Sequence, residues 1–159
     1  MTLTPSSRPD RDDRALLALA ARLANEAAEI IREIRARGFD THIKSDTSPV
    51  TEADHAAERH ILAGLRAETP EIPAIGEEEV AAGIRTAPAA AYWLVDPLDG
   101  TREFAAGRDD FTVNIGLVRE GRAVLGAMAI PAYHQLYTGI VGRGAQRTDP
   151  SGTSAIHAV

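Results

Sequence analysis

The stretch WLVDPLDGTREF, residues 93–104, closes an apolar run with two aspartates, a proline, a glycine and a threonine. AYWLV, residues 91–95, reads as a short buried strand. Pro97 fixes its own φ and has no N–H to give a ladder, so the strand is expected to stop there in a turn. Gly100 permits a tight bend or the close approach of a ligand. Thr101 is expected to N-cap the segment after it. Asp96 and Asp99, with a backbone carbonyl beside them, form a hard-oxygen set suited to Mg²⁺. The N–H groups of Gly100 and Thr101 would then face a phosphate oxygen. Asp-Pro and Asp-Gly are also ordinary surface-turn pairs, and the stretch alone leaves both readings open.

Two more acidic positions precede it. GEEE, residues 76–79, follows the strand-like IPAI and is expected to form a turn; as a plain solvated loop it needs no function. In SPVTEAD, Pro49 disfavours helix at Ser48. Thr51 then caps a helix reaching about Ala67, with Asp54 at the third helical position of a capping-box pair. Capping alone accounts for Asp54.

The surrounding pattern supplies the scaffold. Leu16, Ala20, Leu23, Ala27, Ile30 and Ile34 recur at four- and three-residue intervals and predict a helix from Asp13 to Gly38. Residues 39–54 begin as a short strand or hairpin. FTVNIGLVREGRAVLGAMAIPA reads as two strands joined at REGR, and HQLYTGIVG as a third. The Gly/Ser/Thr-rich RGAQRTDPSGTSAIHAV reads as loop, and residues 1–12 as a flexible tail. Trp93 is assigned to the core, and His55 and His60 to a helix surface.

The chain has 159 residues, 44% hydrophobic and 25% charged, with net charge −6 and no cysteine. That excludes thiolate chemistry and cysteine-based zinc sites. It disfavours a nucleic-acid polymer as partner, which would need a basic face. A small phosphorylated ligand stays compatible, because a bound cation inverts the local field. No apolar run is long enough for a transmembrane helix. Absence of cysteine fits the cytoplasm.

Asp in PVTEAD, Glu in GEE and then DPLDGT, in that order, resemble the lithium-sensitive, Mg²⁺-dependent phosphomonoesterase superfamily of inositol monophosphatases and fructose bisphosphatases. KSDTSPVTEAD, FTVNIGLV and GAMAIPA extend the resemblance over nearly the whole chain. DPLDGTREF and GRDDFTVNIGLV look most like the 3'(2'),5'-bisphosphate nucleotidase branch, of the CysQ type. The resemblance implies an α+β fold, the layered αβαβα sandwich of the sugar phosphatases, with residues 13–159 as the N-terminal portion of one domain and the C-terminal αβ half absent. It implies Glu77, Asp96, the Leu98 carbonyl and Asp99 as metal ligands, Asp99 bridging toward a second Mg²⁺. Glu77, Leu98, Asp99, Gly100 and Thr101 would meet the substrate, Thr101 with Asp54 would orient and deprotonate the attacking water, and Glu78 would support the ligands from behind. Two or three Mg²⁺ ions serve the family, and the implied substrate is a small phosphorylated nucleotide, adenosine 3',5'-bisphosphate. An inositol or sugar phosphate is the alternative. The family's later WDxAAG-like segment, whose aspartate holds the second metal, has no counterpart here. A fragment with an incomplete second metal site, active or inert, is therefore expected.

Overall fold

A computed structural model of the chain describes residues 12–87 and 89–159. Apart from Asp12, the expected tail lies outside the described residues. Helix α1 (Asp13–Arg37) starts at Asp12, whose carboxylate accepts the Arg14 N–H at 3.1 Å, and stops at Gly38 with φ 88°. Five of the six stripe residues are buried; Ile30 is only half-buried, and Ile31 is buried in its place. The spacing explains this exchange. A strict seven-residue repeat drifts about 20° per heptad on a straight helix, so Ile30, two heptads after Leu16, has rotated off the core face.

Strands β1 (Thr41–Ile43) and β2 (Pro49–Thr51) form the expected small antiparallel hairpin. Helix α2 (Glu52–Glu68) follows with both halves of the capping box made between Thr51 and Asp54. The short strand β3 (Ala74–Gly76) comes next, but the glutamates after it do not form a turn. They open a five-residue helix, α3 (Glu77–Ala81). Its start is held by a distant side chain, Glu58 (below), which no local pattern reveals.

Strand β4 (Ala91–Asp99) runs straight through the motif. Pro97 does not end it. The pairing with β5 (Thr112–Arg119) breaks register between Asp96 and Asp99 and resumes at Asp99–Thr112. An irregularity of this kind is where a sheet tolerates a proline. Thr101 is not the cap of the next helix, α4 (Thr101–Ala105); Gly100 is, in the left-handed region at φ 94°. The two-residue turn Glu120–Gly121, both at positive φ, joins β5 to β6 (Arg122–Ile130), as REGR predicts. A short 3-10 turn, Pro131–Tyr133, leads to β7 (Gln135–Ile140).

The segment read as a closing loop is two more strands, β8 (Gly144–Asp149) and β9 (Gly152–Ile156). Their residues are polar and mostly not buried, so no apolar alternation marks them; continuous antiparallel pairing onto β7 orders them instead. The sheet order is β3-β4-β5-β6-β7-β8-β9, with β3–β4 parallel and the other pairs antiparallel. Helices α1 and α2 cover one face, burying Leu23, Ile31, Ile61, Leu65, Val113, Ile115 and Leu117. This is the expected layering of helices on a mixed sheet. Trp93 is core, as expected, and its indole N–H donates to Thr69 Oγ1 at 3.1 Å.

Candidate metal and phosphate site

The residues singled out in the sequence converge where β3 and β4 end. Asp54 lies at the start of α2 and is 1% exposed. Its Oδ2 accepts the Thr51 N–H at 2.8 Å and the Thr51 hydroxyl at 2.7 Å. Its Oδ1 accepts the hydroxyl of Thr101 at 2.8 Å, across 47 residues of chain. The helix-capping role and the contact with Thr101 therefore belong to the same carboxylate, one oxygen each. The Leu98 carbonyl lies 3.1 Å from Thr101 Oγ1 on the other side. Thr101 has one hydroxyl proton, and the shorter, charge-assisted contact to Asp54 claims it.

Gly100 makes this approach possible. A Cβ there would lie 2.5 Å from the Asp110 carbonyl oxygen and 3.1 Å from Phe111 Cα. Beneath it, Phe104 is fully buried, stacked on Phe39 at 4.5 Å and edge-on to Phe111 at 5.1 Å. The turn carrying Asp99, Gly100 and Thr101 thus rests on an aromatic base.

The second cluster is Glu77, Asp96 and Asp99. Glu77 and Asp99 are exposed, while Asp96 is half-buried. Asp96 Oδ1 is a buried oxygen with no hydrogen-bond partner. Burial pushes the Asp96 carboxyl up to about 7, and hydrogen bonding with Glu77 and the charges of Glu77 and Asp99 add to it. Three carboxyl groups crowded together, one with an orphaned oxygen, fit a hard divalent cation. Among the described residues, no three acidic or histidine side chains already stand in a ready-made ligand arrangement.

Two further residues belong here that the sequence reading did not assign. Lys44, at the end of the β1–β2 hairpin, donates to Glu78 at 2.9 Å and lies 3.6 Å from Glu77. Desolvation opposes its charge, but Glu78, Glu77 and Asp54 outweigh it and raise the ammonium pKa. Glu58, on α2, accepts the N–H groups of Glu78 and Glu79 at 2.7 and 2.8 Å. Burial raises its carboxyl pKa, against those two N–H bonds. The sequence signals were faint: Lys44 opens KSDTSPVTEAD, and Glu58 follows Asp54 by four residues, one turn along the same helix face. Glu78, expected to support the ligands, is buried, while its neighbour Glu77 is exposed. His55 is exposed on α2, and His60, half-buried, contacts Glu26 at 3.1 Å.

Among the described residues, no helix is long and apolar enough to cross a membrane. The chain is 41% identical over 130 residues to the 3'(2'),5'-bisphosphate nucleotidase CysQ of Salmonella typhimurium, covering 80% of this chain and 53% of that protein. Its fold matches Mycobacterium tuberculosis SuhB with a TM-score of 0.76 at 31% identity, over 94% of this chain and 54% of that one. It matches CysQ from Bacteroides thetaiotaomicron, a bacterial member of the inositol monophosphatase family, with a TM-score of 0.67 at 33% identity, over 91% and 53%. The chain spans about half the length of the curated relatives it matches. The pattern of the inositol monophosphatase family runs through residues 12–157, every acidic position above included, and the chain belongs to that family of metal-dependent phosphomonoesterases.

Proposed function

We propose that this chain carries the metal- and water-handling part of a Mg²⁺-dependent 3'(2'),5'-bisphosphate nucleotidase, which converts adenosine 3',5'-bisphosphate and water to AMP and phosphate. The observation that carries the reading is the 2.8 Å bond from Thr101 to Asp54, beside a half-buried Asp96 with a partnerless oxygen. Glu77, Asp96, Asp99 and the Leu98 carbonyl would hold Mg²⁺. Bound there, the cation would neutralise the phosphate dianion and acidify a water molecule.

The protein's own residues do the rest. A threonine hydroxyl alone is a weak base, but with its proton committed to Asp54 the Thr101 oxygen is left as an acceptor for the attacking water. The water oxygen attacks phosphorus as the bond to the ribose 3' oxygen breaks; the water proton leaves through Thr101 toward Asp54, and the released 3' oxygen takes its proton from solvent. The amides at Gly100 and Thr101, at the start of α4, lack intrahelical acceptors and would meet the phosphate oxygens. Asp99 and Glu77 would lie against the same group. Lys44 would offset the surplus negative charge around Glu77 and Glu78.

The nucleotide assignment leans on the identity to CysQ and on DPLDGTREF. Membership of the inositol monophosphatase family favours an inositol phosphate as a second reading. The test is phosphate release with Mg²⁺ from adenosine 3',5'-bisphosphate and, in parallel, from inositol 1-phosphate. Faster release from the nucleotide, lost in Asp96→Asn, supports the proposal. Preference for the inositol ester overturns the substrate, and an equally active Asp96→Asn overturns the metal assignment. Mg²⁺ binding without turnover of either ester assigns the chain a cation-binding role alone.

A further inference from the structure

Glu58 is 3% exposed, and both of its carboxylate oxygens are used on backbone N–H groups, those of Glu78 and Glu79. A buried carboxylate is costly to keep, so its return is sought in what it holds. It holds the start of α3, five residues long and far too short to be stable alone. The first residue of that helix is Glu77. The geometry around the contact is closed: a Cβ on Gly76 would lie 2.5 Å from Glu58 Cδ and 2.7 and 2.8 Å from its oxygens. Arg66 secures the same helix from its flank, donating to Glu79 at 3.0 and 2.7 Å and to the Ala74 carbonyl at 3.2 Å. Asp54 and Glu58 are one turn apart on α2, so a single helix turn touches both Thr101 and the Glu78 amide, next in the chain to Glu77.

We infer that Glu58 is a positioning residue: by clasping the Glu78 and Glu79 amides in the first turn of α3 it aims the preceding Glu77 at Asp96 and so sets the affinity of the acidic cluster for a divalent cation. This rests on the reading of Glu77, Asp96 and Asp99 as the cation-holding group. Removing a group that orients a metal ligand weakens metal binding about 10- to 100-fold. Glu58→Gln keeps the shape but loses the charge and one of the two acceptors. Gly76→Ala keeps the charge and forces the carboxylate away, which separates positioning from a simple loss of negative charge.

The experiment is Mg²⁺ titration calorimetry on the whole chain, wild type and both variants. Amide hydrogen exchange at Glu78 and Glu79, measured in metal-free protein, and urea unfolding in EDTA accompany it. Expected are Mg²⁺ dissociation constants raised about 10- to 100-fold in both variants, and fast exchange confined to the two amides. A dissociation constant within about twofold of wild type in either folded variant overturns the inference. So does unprotected exchange at both amides in the wild type. If the wild type protects those amides but binds no Mg²⁺, the cation reading of the cluster falls, and the affinity role of Glu58 with it. Should Glu58→Gln fail to fold, Gly76→Ala decides the outcome.

Discussion

Replacing Gly100 by alanine separates two effects that usually travel together. Gly100 sits at φ 94° and ψ 37°. An L-residue in the left-handed region costs about 1–2 kcal/mol. Its new Cβ would also stand 2.5 Å from the Asp110 carbonyl oxygen and 3.1 Å from Phe111 Cα, so backbone must move. Forcing an extra methyl into packed structure costs about 1–3 kcal/mol. The sum is about 2–5 kcal/mol. Gly107, just past α4, is the internal control: it has φ 76° and nothing within 4 Å of an added methyl, so Gly107→Ala carries only the first cost. At about 2–4 °C per kcal/mol for a chain of this length, Gly100→Ala lowers Tm by about 4–20 °C and Gly107→Ala by about 2–8 °C. Urea unfolding of the two variants beside wild type, with unchanged slope, gives the difference directly. The displaced turn also carries Thr101 away from Asp54, so Gly100→Ala loses phosphate release while Gly107→Ala keeps it. Equal destabilisation by the two substitutions would show that the close approach at Gly100 adds no strain of its own.

Mg²⁺ at about 100 times its dissociation constant stabilises a folded protein by about 2.7 kcal/mol, so thermal unfolding should rise by about 5–11 °C and Asp96→Asn should not respond; a variant that responds like wild type refutes Asp96 as a ligand. Thr101→Val removes the hydroxyl and should lower phosphate release about 10²- to 10⁴-fold, while Thr101→Ser keeps most of it; indistinguishable rates for the two refute the role given to the hydroxyl. Asp13 pairs with Arg119 at 2.9 Å, and that bond holds its carboxyl below the usual 3.8. A depressed folded pKa contributes stability above the unfolded value that disappears as pH falls through the folded one. The pair is part-buried at the surface and still screened by solvent, so Asp13→Asn should cost about 1 kcal/mol at neutral pH and nothing near pH 2 by urea unfolding; a cost persisting in acid would assign the loss to helix packing.

Elements whose causes are local were legible in the sequence. The α1 stripe, the Thr51–Asp54 capping box and the Glu120–Gly121 turn each depend on residues within a few positions of one another. The failures share a different cause. Helix α3 is held at its start because Glu58, 20 and 21 residues earlier, accepts the amides of its second and third residues, Glu78 and Glu79. Gly100, not Thr101, caps α4, and the Thr101 hydroxyl is used instead on Asp54, 47 residues away. Strands β8 and β9 form because a neighbouring ladder offers hydrogen bonds, whatever the polarity of their side chains. Pro97 is tolerated because the register breaks around it. The candidate site residues were picked out by their order along the chain, whereas Lys44 and Glu58 became visible only when the hairpin and α2 were folded against the strand ends.

The one parallel pair among the described strands is also the pair that builds the acidic cluster, and the two facts are connected. In an antiparallel pair the carboxyl ends of neighbouring strands lie at opposite rims of the sheet. In a parallel pair both lie at the same rim, where ligands gather in open α/β sheets. Strand β3 ends at Gly76 and delivers Glu77; β4 ends at Asp99 and delivers Asp96, Leu98 and Asp99 beside it. The crossover between them, residues 77–90, begins with α3, so its start is clamped at the rim by Glu58. The antiparallel hairpin of β1 and β2 then brings Lys44 in from above, and the capping turn of α2 brings Asp54 to Thr101. Any strand rearrangement that reversed β3 would carry Glu77 to the far rim while leaving every local motif intact. The acidic cluster is therefore encoded as much in the direction of one three-residue strand as in the acidic residues that come after it.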